Sequence, residues 1–256
     1  MFIGTKVKMF IKISQRMNKP KVSVIIPSYN RFDYLTNAIN SVLNQTYKHI
    51  EIIVINDGST QEEYKEVNLI SDKINLVNLE KNQKLIYGFG PGDIRNFGLE
   101  KATGKYVAFL DDDDYWLENK LETQISLLEN SEYKISSSEA LIGNGPYQHN
   151  KSYERFLEDY YYKKIKKIYL NSLTAAFQSF KIPNVWDEQF LRKHNLMITS
   201  SVIIEKQILD RINGFRNLPK YADWDCWKGA IQFSNSVFVR EPLVYYDHQH
   251  GHGREY

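Results

Sequence analysis

Residues 22–30 read VSVIIPSYN, a short apolar run that ends at a proline followed by polar residues. Two later segments have the same form: residues 50–58 read IEIIVINDG, and residues 106–114 read YVAFLDDDD. Short apolar runs that end at turn residues are typical of buried strands. Residues 76–79 form a weaker run of the same kind. The first half of the chain therefore contains four predicted strands.

Helical patterns lie between these strands. Apolar residues at positions 32, 35, 39, 42 and 43 predict a helix, with Asn30 and Asp33 as its N-terminal cap. Residues 94–102 predict a second helix, and an apolar stripe from Leu117 to Leu128 predicts a third. Strands that alternate with helices indicate parallel pairing. The predicted fold is α/β, with a Rossmann-like, mostly parallel sheet and helices on both faces.

The second half of the chain is less regular. Residues 153–169 are polar and aromatic, with lysines at 163, 164, 166 and 167. A charge run of this kind predicts a solvated helix face in preference to a phosphate or membrane patch. Residues 199–205 predict a strand, followed by a helix through Ile212 that Gly214 ends. Residues 237–246 predict a last extended segment.

Polar residues follow three predicted strands at their carboxyl ends, at 27–30, 56–58 and 111–114. In open parallel sheets ligands bind at this edge, so we expect these residues to converge on one crevice. Carboxylate oxygens suit Mg²⁺ or Mn²⁺. Alternate residues of an extended segment point the same way, so Asp111 and Asp113 could act together. The alternative that residues 111–114 form an acidic turn that caps the next helix stays open at this point.

Composition restricts the function classes. The chain has 256 residues and a formal net charge of +2. It therefore lacks the strong positive field that would attract nucleic acid. Cys226 is the one cysteine, which excludes an intrachain disulfide. No apolar run is long enough for a transmembrane segment. We therefore expect a protein of the cytoplasm.

The segments at the strand ends together resemble the family 2 glycosyltransferases of GT-A fold. Residues 90–96 resemble that family's segment ending in Ala-Arg-Asn. Gly214-Phe215 followed by residues 223–227 resembles its Gly-Phe…Glu-Asp-x-Asp motif, with Ala222 where glutamate is usual. Residues 242–246 resemble the strand before its C-terminal histidine. The resemblance runs from Val22 to His250, nearly the whole chain.

The resemblance implies an inverting transfer of a sugar from a nucleotide-diphosphate sugar to an acceptor hydroxyl, with Mn²⁺ or Mg²⁺. A UDP-sugar is the implied donor, while dTDP and GDP donors stay open. It also implies an N-terminal extension over residues 1–20 and one GT-A domain over 21–256. In that domain, 21–114 would be the nucleotide-binding half and 115–256 the acceptor-side half.

Roles for individual residues follow from the same resemblance. Asp57 would accept the N3–H of uracil, Tyr29 would stack on the base, and Arg95 would bridge base and phosphate. Asp111 or Asp112 would hold the ribose hydroxyls. The implied nucleotide-sugar-binding residues are Pro27, Ser28, Tyr29, Asn30, Asp57, Arg95, Asp111 and Asp112.

Asp113 would be the metal ligand, joined by a C-terminal histidine, for which we take His250 with His248 left open. Asp114 could be no more than a helix cap. Asp223 would be the general base that deprotonates the acceptor, and Asp225 is its nearby competitor. Trp224 and Trp227 would line the sugar or acceptor site or else pack in the core.

Two other functions fit parts of the sequence. A sugar-nucleotide pyrophosphorylase would have the same kind of fold, with a glycine-rich loop after its first strand. In this sequence no glycine lies between the first strand and Gly58. A binding or scaffold protein that has lost catalysis is supported by Ala222. A Rossmann dehydrogenase is excluded because no Gly-x-Gly-x-x-Gly turn follows a strand.

Overall fold

The computed structural model describes residues 19–88, 94–163 and 182–250. The four predicted strands are confirmed as β1 (Val22–Ser28), β2 (Ile50–Asn56), β3 (Ile74–Asn78) and β4 (Tyr106–Phe109). They form a parallel group in the spatial order β3-β2-β1-β4. Ser28 lies beside Asn56, and Ile25 lies beside Phe109. The carboxyl ends of β1, β2 and β4 therefore meet at one edge.

Helices cover both faces of this group, as predicted. Val24 of β1 packs in one core cluster with Leu35, whereas Ile25 points to the other face and packs with Ile94. A Cβ at Gly98 would lie 2.7 Å from Ile25 Cγ2, so this glycine lets its helix lie against β1. The helices are α1 (Phe32–Leu43), a 3₁₀ turn (Glu62–Glu66), α2 (Val67–Ile70), α3 (Gln83–Tyr87) and α4 (Ile94–Lys101).

The second half extends the same sheet. Strand β9 (Ile203–Glu205) is antiparallel to β4 and to β6 (Ile135–Gly143). Strand β10 (Ser236–Asp247) is parallel to β6, and β5 (Tyr115–Trp116) is antiparallel to β10. Within the described residues ten strands form one sheet. Its further elements are β5 (Tyr115–Trp116), α5 (Lys120–Glu129), β6 (Ile135–Gly143), β7 (Glu154–Arg155), a π-helix (Phe156–Tyr161), β8 (Val185–Trp186), α6 (Glu188–Lys193), a 3₁₀ turn (Thr199–Ser201), β9 (Ile203–Glu205), α7 (Lys206–Arg211), α8 (Ala222–Ala230) and β10 (Ser236–Asp247).

The predicted cap of α1 is wrong. Its N-cap position is Arg31, whose own side chain makes no capping hydrogen bond, and the Phe32 backbone N–H donates instead to Gln61 Oε1 at 3.0 Å. Asn30 instead adopts a left-handed backbone with φ 51°. Its Oδ1 accepts a hydrogen bond from the Thr60 backbone N–H at 2.8 Å. Asparagine tolerates this conformation because its side chain can bond locally, so Asn30 shapes the turn after β1.

Predictions for the second half were less accurate. Helix α5 begins at Lys120, later than the apolar stripe suggested. The predicted strand at 199–205 is a 3₁₀ turn followed by the short β9. The long strand β6 occupies a region without a readable period. In the basic segment, Lys163 is exposed and pairs with Glu154 at 3.0 Å, while the lysines at 164, 166 and 167 lie outside the described residues.

None of the helices in the described residues combines the length and the apolar character that a membrane crossing requires.

Lys120 is a fully buried amine at the start of α5. Its Nζ donates to Gln124 Oε1 at 2.6 Å and lies 4.3 Å from the centroid of the Trp116 ring. Burial lowers the pKa of Lys120 well below its usual value. The unfolded chain thus binds this proton more readily than the folded protein does.

We expect this difference to appear as a pH-dependent stability. The folded protein has its full stability with respect to Lys120 above the pKa of this amine in the unfolded chain, about 10.4. That stability is lost as the pH falls toward the lower pKa of the amine in the folded protein. From pH 8 to pH 9, the native protein is expected to gain up to about 1.4 kcal/mol relative to Lys120→Met. Urea unfolding of both proteins at the two pH values measures this. Equal pH slopes would contradict the prediction.

Candidate functional site

A cavity opens at the edge where β1, β2 and β4 end. All of the predicted nucleotide and metal residues except Asn30 line it, while Asp223 lies outside the lining. The convergence expected from parallel strands is therefore present in the structure. The lining residues are Pro27, Ser28, Tyr29, Arg31, Asp57, Asn82, Lys84, Ile94, Arg95, Asp111, Asp112, Asp113 and His250.

Asp57 is held in a fixed orientation after β2. Its Oδ2 accepts from Asn82 Nδ2 at 2.8 Å, and its Oδ1 accepts from the Gln83 backbone N–H at 2.9 Å. The following Gly58 has φ 71°, and a Cβ there would lie 2.6 Å from the Asn82 backbone nitrogen. Only glycine fits this turn. A carboxylate oxygen has more than one lone pair, so Asp57 can still accept a hydrogen bond from a ligand.

Ser28 and Arg31 hold the buried Asp112. Ser28 Oγ donates to Asp112 Oδ2 at 2.7 Å and bonds with the Tyr64 hydroxyl at 2.5 Å. Arg31 Nη1 lies 3.3 Å from Asp112 Oδ1 and 3.2 Å from Asp113 Oδ2. Burial raises the pKa of Asp112, and the Arg31 charge and the Ser28 hydrogen bond oppose that shift. Arg31 is thus a cation built into the acidic cluster.

Asp113 lies in a buried position where its negative charge is disfavoured. It is 9% exposed. Burial, followed by the charges of Asp112 and Asp111, raises the pKa of Asp113 to about 8, with Arg31 opposing. His250 Nδ1 lies 3.9 Å from Asp113 Oδ2. The cluster therefore favours an additional cation.

The donor set at this point is small. In the described part of the chain, no three histidine, cysteine, aspartate or glutamate side chains form a group that could hold a metal ion. Mg²⁺ commonly binds through one or two carboxylates and completes its shell with water and substrate phosphates. Asp113 beside His250 fits such a partial set of ligands, with the remaining positions left to a diphosphate.

Asp111 and Arg95 form the next part of the lining. Arg95 Nη2 forms an ion pair with Asp111 Oδ1, and the Asp111 backbone N–H donates to Ser200 Oγ at 3.0 Å. The Asp111 side chain is 33% exposed, compared with 6% for Asp112. Of the two predicted ribose contacts, Asp111 is thus the more accessible to a ligand hydroxyl.

Asp114 is not a helix cap, so that hypothesis is wrong. Helix α5 has Asn119 at its N-cap position. Asp114 is buried, with Oδ1 accepting from the Asp247 backbone N–H at 3.0 Å and Oδ2 accepting from Ser200 Oγ. It joins the acidic run to the end of β10, which is where the C-terminal histidines begin.

Asp223 lies at the start of α8. Its Oδ1 accepts from the Trp224 backbone N–H at 2.7 Å, and its Oδ2 accepts from Thr199 Oγ1 at 3.4 Å. Its competitor Asp225 is engaged elsewhere, because both of its carboxylate oxygens accept from the Arg216 guanidinium. Asp223 is therefore the freer carboxylate of the two to receive a proton from a ligand.

The two tryptophans of α8 have different surroundings. Trp227 is 1% exposed and packs against Phe109 and Phe215, so the core-packing alternative holds for it. Trp224 is half-buried, and its Nε1 donates to the Leu191 carbonyl at 2.8 Å. Trp224 thus remains accessible beside Asp223.

Several residues of the site were missed from the sequence. Arg31 had a readable signal, since four adjacent carboxylates need a nearby cation, and it directly follows the quoted segment 22–30. Asn82 orients Asp57 from a loop with no pattern that marks it. Thr199 and Ser200 contact Asp223, Asp111 and Asp114 from a turn predicted as a strand, so spacing could not reveal them.

Comparison with known proteins identifies the class. Residues 23–193 match the family model described as Glycosyl transferase family 2, and this covers more than half of the chain. The chain belongs to glycosyl transferase family 2. The sheet, the helices on both faces and the similar solved structures agree with the predicted GT-A fold.

Particular relatives add detail. The chain is 39% identical over 121 residues to UDP-Glc:alpha-D-GlcNAc-diphosphoundecaprenol beta-1,3-glucosyltransferase WfaP of Escherichia coli, covering 47% of this chain and 46% of that protein. S. aureus TarS 1-349 in complex with UDP-GlcNAc superposes with a TM-score of 0.64 at 20% identity, over 89% of this chain and 58% of that one. Mannosyltransferase PcManGT from Pyrobaculum calidifontis, in complex with GDP-Man and Mn²⁺, superposes with a TM-score of 0.60 at 15% identity, over 95% of this chain and 64% of that one.

The chain spans less than two thirds of the length of its curated relatives. Their own substrates and partners are therefore properties of those longer proteins.

Proposed function

We propose that this protein transfers a sugar from a UDP-sugar to an acceptor hydroxyl with inversion at the anomeric carbon. The observation that carries the proposal is the convergence of Asp57, Arg95 and the 111–113 carboxylates on one cavity at the carboxyl edge of the sheet. The E. coli relative is described as using UDP-Glc, and the TarS structure contains UDP-GlcNAc. Both support uracil as the base of the donor.

In this proposal the chain's own groups orient the donor. Asp57, fixed by Asn82 and Gln83, accepts the N3–H of the uracil ring, and Tyr29 stacks on its face. Asp111 accepts hydrogen bonds from ribose hydroxyls. Arg95, already paired with Asp111, presents its planar donors to base and phosphate. Each of these roles uses a side chain that lines the cavity.

Asp223 is the proposed general base. Its carboxylate removes the proton of the acceptor hydroxyl as that oxygen bonds to the anomeric carbon. The bond from the anomeric carbon to the donor's phosphate oxygen breaks, and its electron pair leaves with the diphosphate. Asp113 and His250 would hold Mn²⁺ or Mg²⁺, which supplies charge neutralisation for the departing diphosphate.

Thermal unfolding with a panel of nucleotides tests the donor assignment. With Mn²⁺ present, UDP at a hundredfold excess over its Kd is expected to stabilise the fold by about 2.7 kcal/mol. We expect a larger rise in Tm for UDP than for GDP, dTDP or CDP, and a smaller rise for UDP when EDTA replaces Mn²⁺. A larger shift with GDP would overturn the uracil assignment. No shift with any nucleotide would overturn the proposal.

A binding or scaffold protein is the competing function, supported by Ala222, which is buried at 8% exposure. Such a protein would show the UDP-dependent shift but would not turn over. Release of UDP from UDP-Glc and UDP-GlcNAc, followed with and without added glycosides, separates the two functions. Binding without release under all these conditions would favour the scaffold.

A further inference from the structure

Tyr221 is an exposed aromatic residue in a strained backbone position directly before α8. Its side chain is 64% exposed, and its backbone is left-handed, with φ 60° and ψ 29°. For a bulky residue without a short polar side chain, this conformation is a true outlier that costs stability. Glycine would adopt the same backbone without strain. Packing does not account for a tyrosine here, because most of the ring lies in solvent.

Tyr221 lies close along the chain to the proposed general base. Tyr221 is two residues before Asp223, and the Tyr221 carbonyl accepts the Asp225 backbone N–H at 2.9 Å in the first turn of α8. Asp223 keeps its carboxylate at that same turn through the Trp224 backbone N–H. The backbone conformation of Tyr221 thus fixes the direction of its ring relative to the first turn of α8, which carries the Asp223 carboxylate.

A second ring completes the surface. Tyr221 and Trp224 meet edge to face, with centroids 6.0 Å apart and planes at 81°. Trp224 is held by its bond to the Leu191 carbonyl and by Lys228, whose Nζ lies 4.5 Å from the ring centroid. The fixed indole and the exposed phenol together form an aromatic corner, defined here as Tyr221 and Trp224.

We propose that the aromatic corner binds a pyranose ring of the acceptor and that Tyr221 supplies its stacking face. This inference rests on the proposed function, since it assigns the acceptor of that same transfer as a sugar. A pyranose presents axial C–H groups on one face and hydroxyls at its rim. The C–H face suits an aromatic ring, while a rim hydroxyl can reach the neighbouring carboxylate. The backbone strain is then retained because it aims the phenol ring at the substrate.

Methyl β-D-glucopyranoside is a suitable probe because it has such a C–H face and is uncharged. Saturation-transfer NMR on the full chain with saturating UDP and Mn²⁺ is expected to detect its ring protons. Tyr221→Ala is expected to weaken this binding by at least about fivefold. Tyr221→Phe is expected to retain it. Phe233→Ala, which removes another exposed ring at 49% exposure, is the matched control and is expected to bind as the native protein does.

Tyr221→Gly separates a ligand-binding role from a structural one. Because glycine relieves the left-handed strain, this variant is expected to unfold at the native Tm or above it, while pyranoside binding is lost and the UDP-induced shift is kept. A Tm well below the native value would indicate that Tyr221 serves the fold. Absence of pyranoside contact in the native protein, or equal contact in Tyr221→Ala, would overturn the inference. Failure of UDP to bind would overturn the proposed function itself.

Discussion

Replacing Asp223 with asparagine is expected to reduce sugar transfer about a thousandfold while UDP affinity stays within about twofold. A positioned general base contributes about 10²- to 10⁴-fold to a rate. An amide cannot take the acceptor proton, but its oxygen can still accept the hydrogen bond that the Trp224 backbone N–H donates to Asp223. The start of α8 therefore keeps its geometry, and the loss falls on turnover.

Asp225→Asn is the matched control, two residues further along the same helix. Asp225 is already paired with Arg216, which lowers the pKa of that carboxyl. The transfer rate of Asp225→Asn is expected to fall by less than about fivefold, because exposed ion pairs contribute up to about 1 kcal/mol. Transfer rates with UDP-Glc and a glycoside acceptor, together with calorimetric UDP affinity, measure both variants. Equal loss of binding and turnover in Asp223→Asn, or a greater loss in Asp225→Asn, would contradict the assignment.

The first half of the fold was predictable because its signals are local. Buried strands that end at Ser28, Asn56 and Phe109 place the polar residues at and after their ends at one edge once the pairing is parallel. The second half was not, since β6 carries serines and a glutamate at buried positions, which hides its strand period. The Thr199–Ser201 turn acts through side-chain contacts to residues up to 89 positions away, and no spacing rule reports such contacts.

The roles within the aspartate run also needed the structure. Four identical residues gave no basis for separating Asp114 from Asp113 by sequence alone. In the structure, Asp114 is satisfied by Ser200 and the Asp247 backbone, whereas Asp113 faces the cavity with Arg31 and His250. Local bonding decides which carboxylate remains available to a cation.

Asp113→Asn is expected to abolish the Mn²⁺-dependent part of UDP binding. The substitution removes the carboxyl group that could ionise to hold a cation, but it keeps an oxygen that can accept from Arg31. Because burial and the neighbouring carboxylates disfavour the Asp113 charge, the variant is expected to be as stable as the native protein, or more stable, in EDTA. With UDP and Mn²⁺ the order is expected to reverse, since the native protein alone gains the metal-linked stabilisation.

Asp114→Asn provides the control for this reversal, because it changes the adjacent carboxylate without touching the proposed metal ligands. It is expected to lower Tm in every buffer, since a buried acceptor for Ser200 and the Asp247 backbone is altered, yet to keep the full difference between Mn²⁺ and EDTA. Calorimetric UDP titrations and thermal unfolding of the three proteins measure both effects. An unchanged Mn²⁺ dependence in Asp113→Asn would remove Asp113 from the metal site, and a lost dependence in Asp114→Asn would show that the whole run, acting through its shared charge, holds the cation.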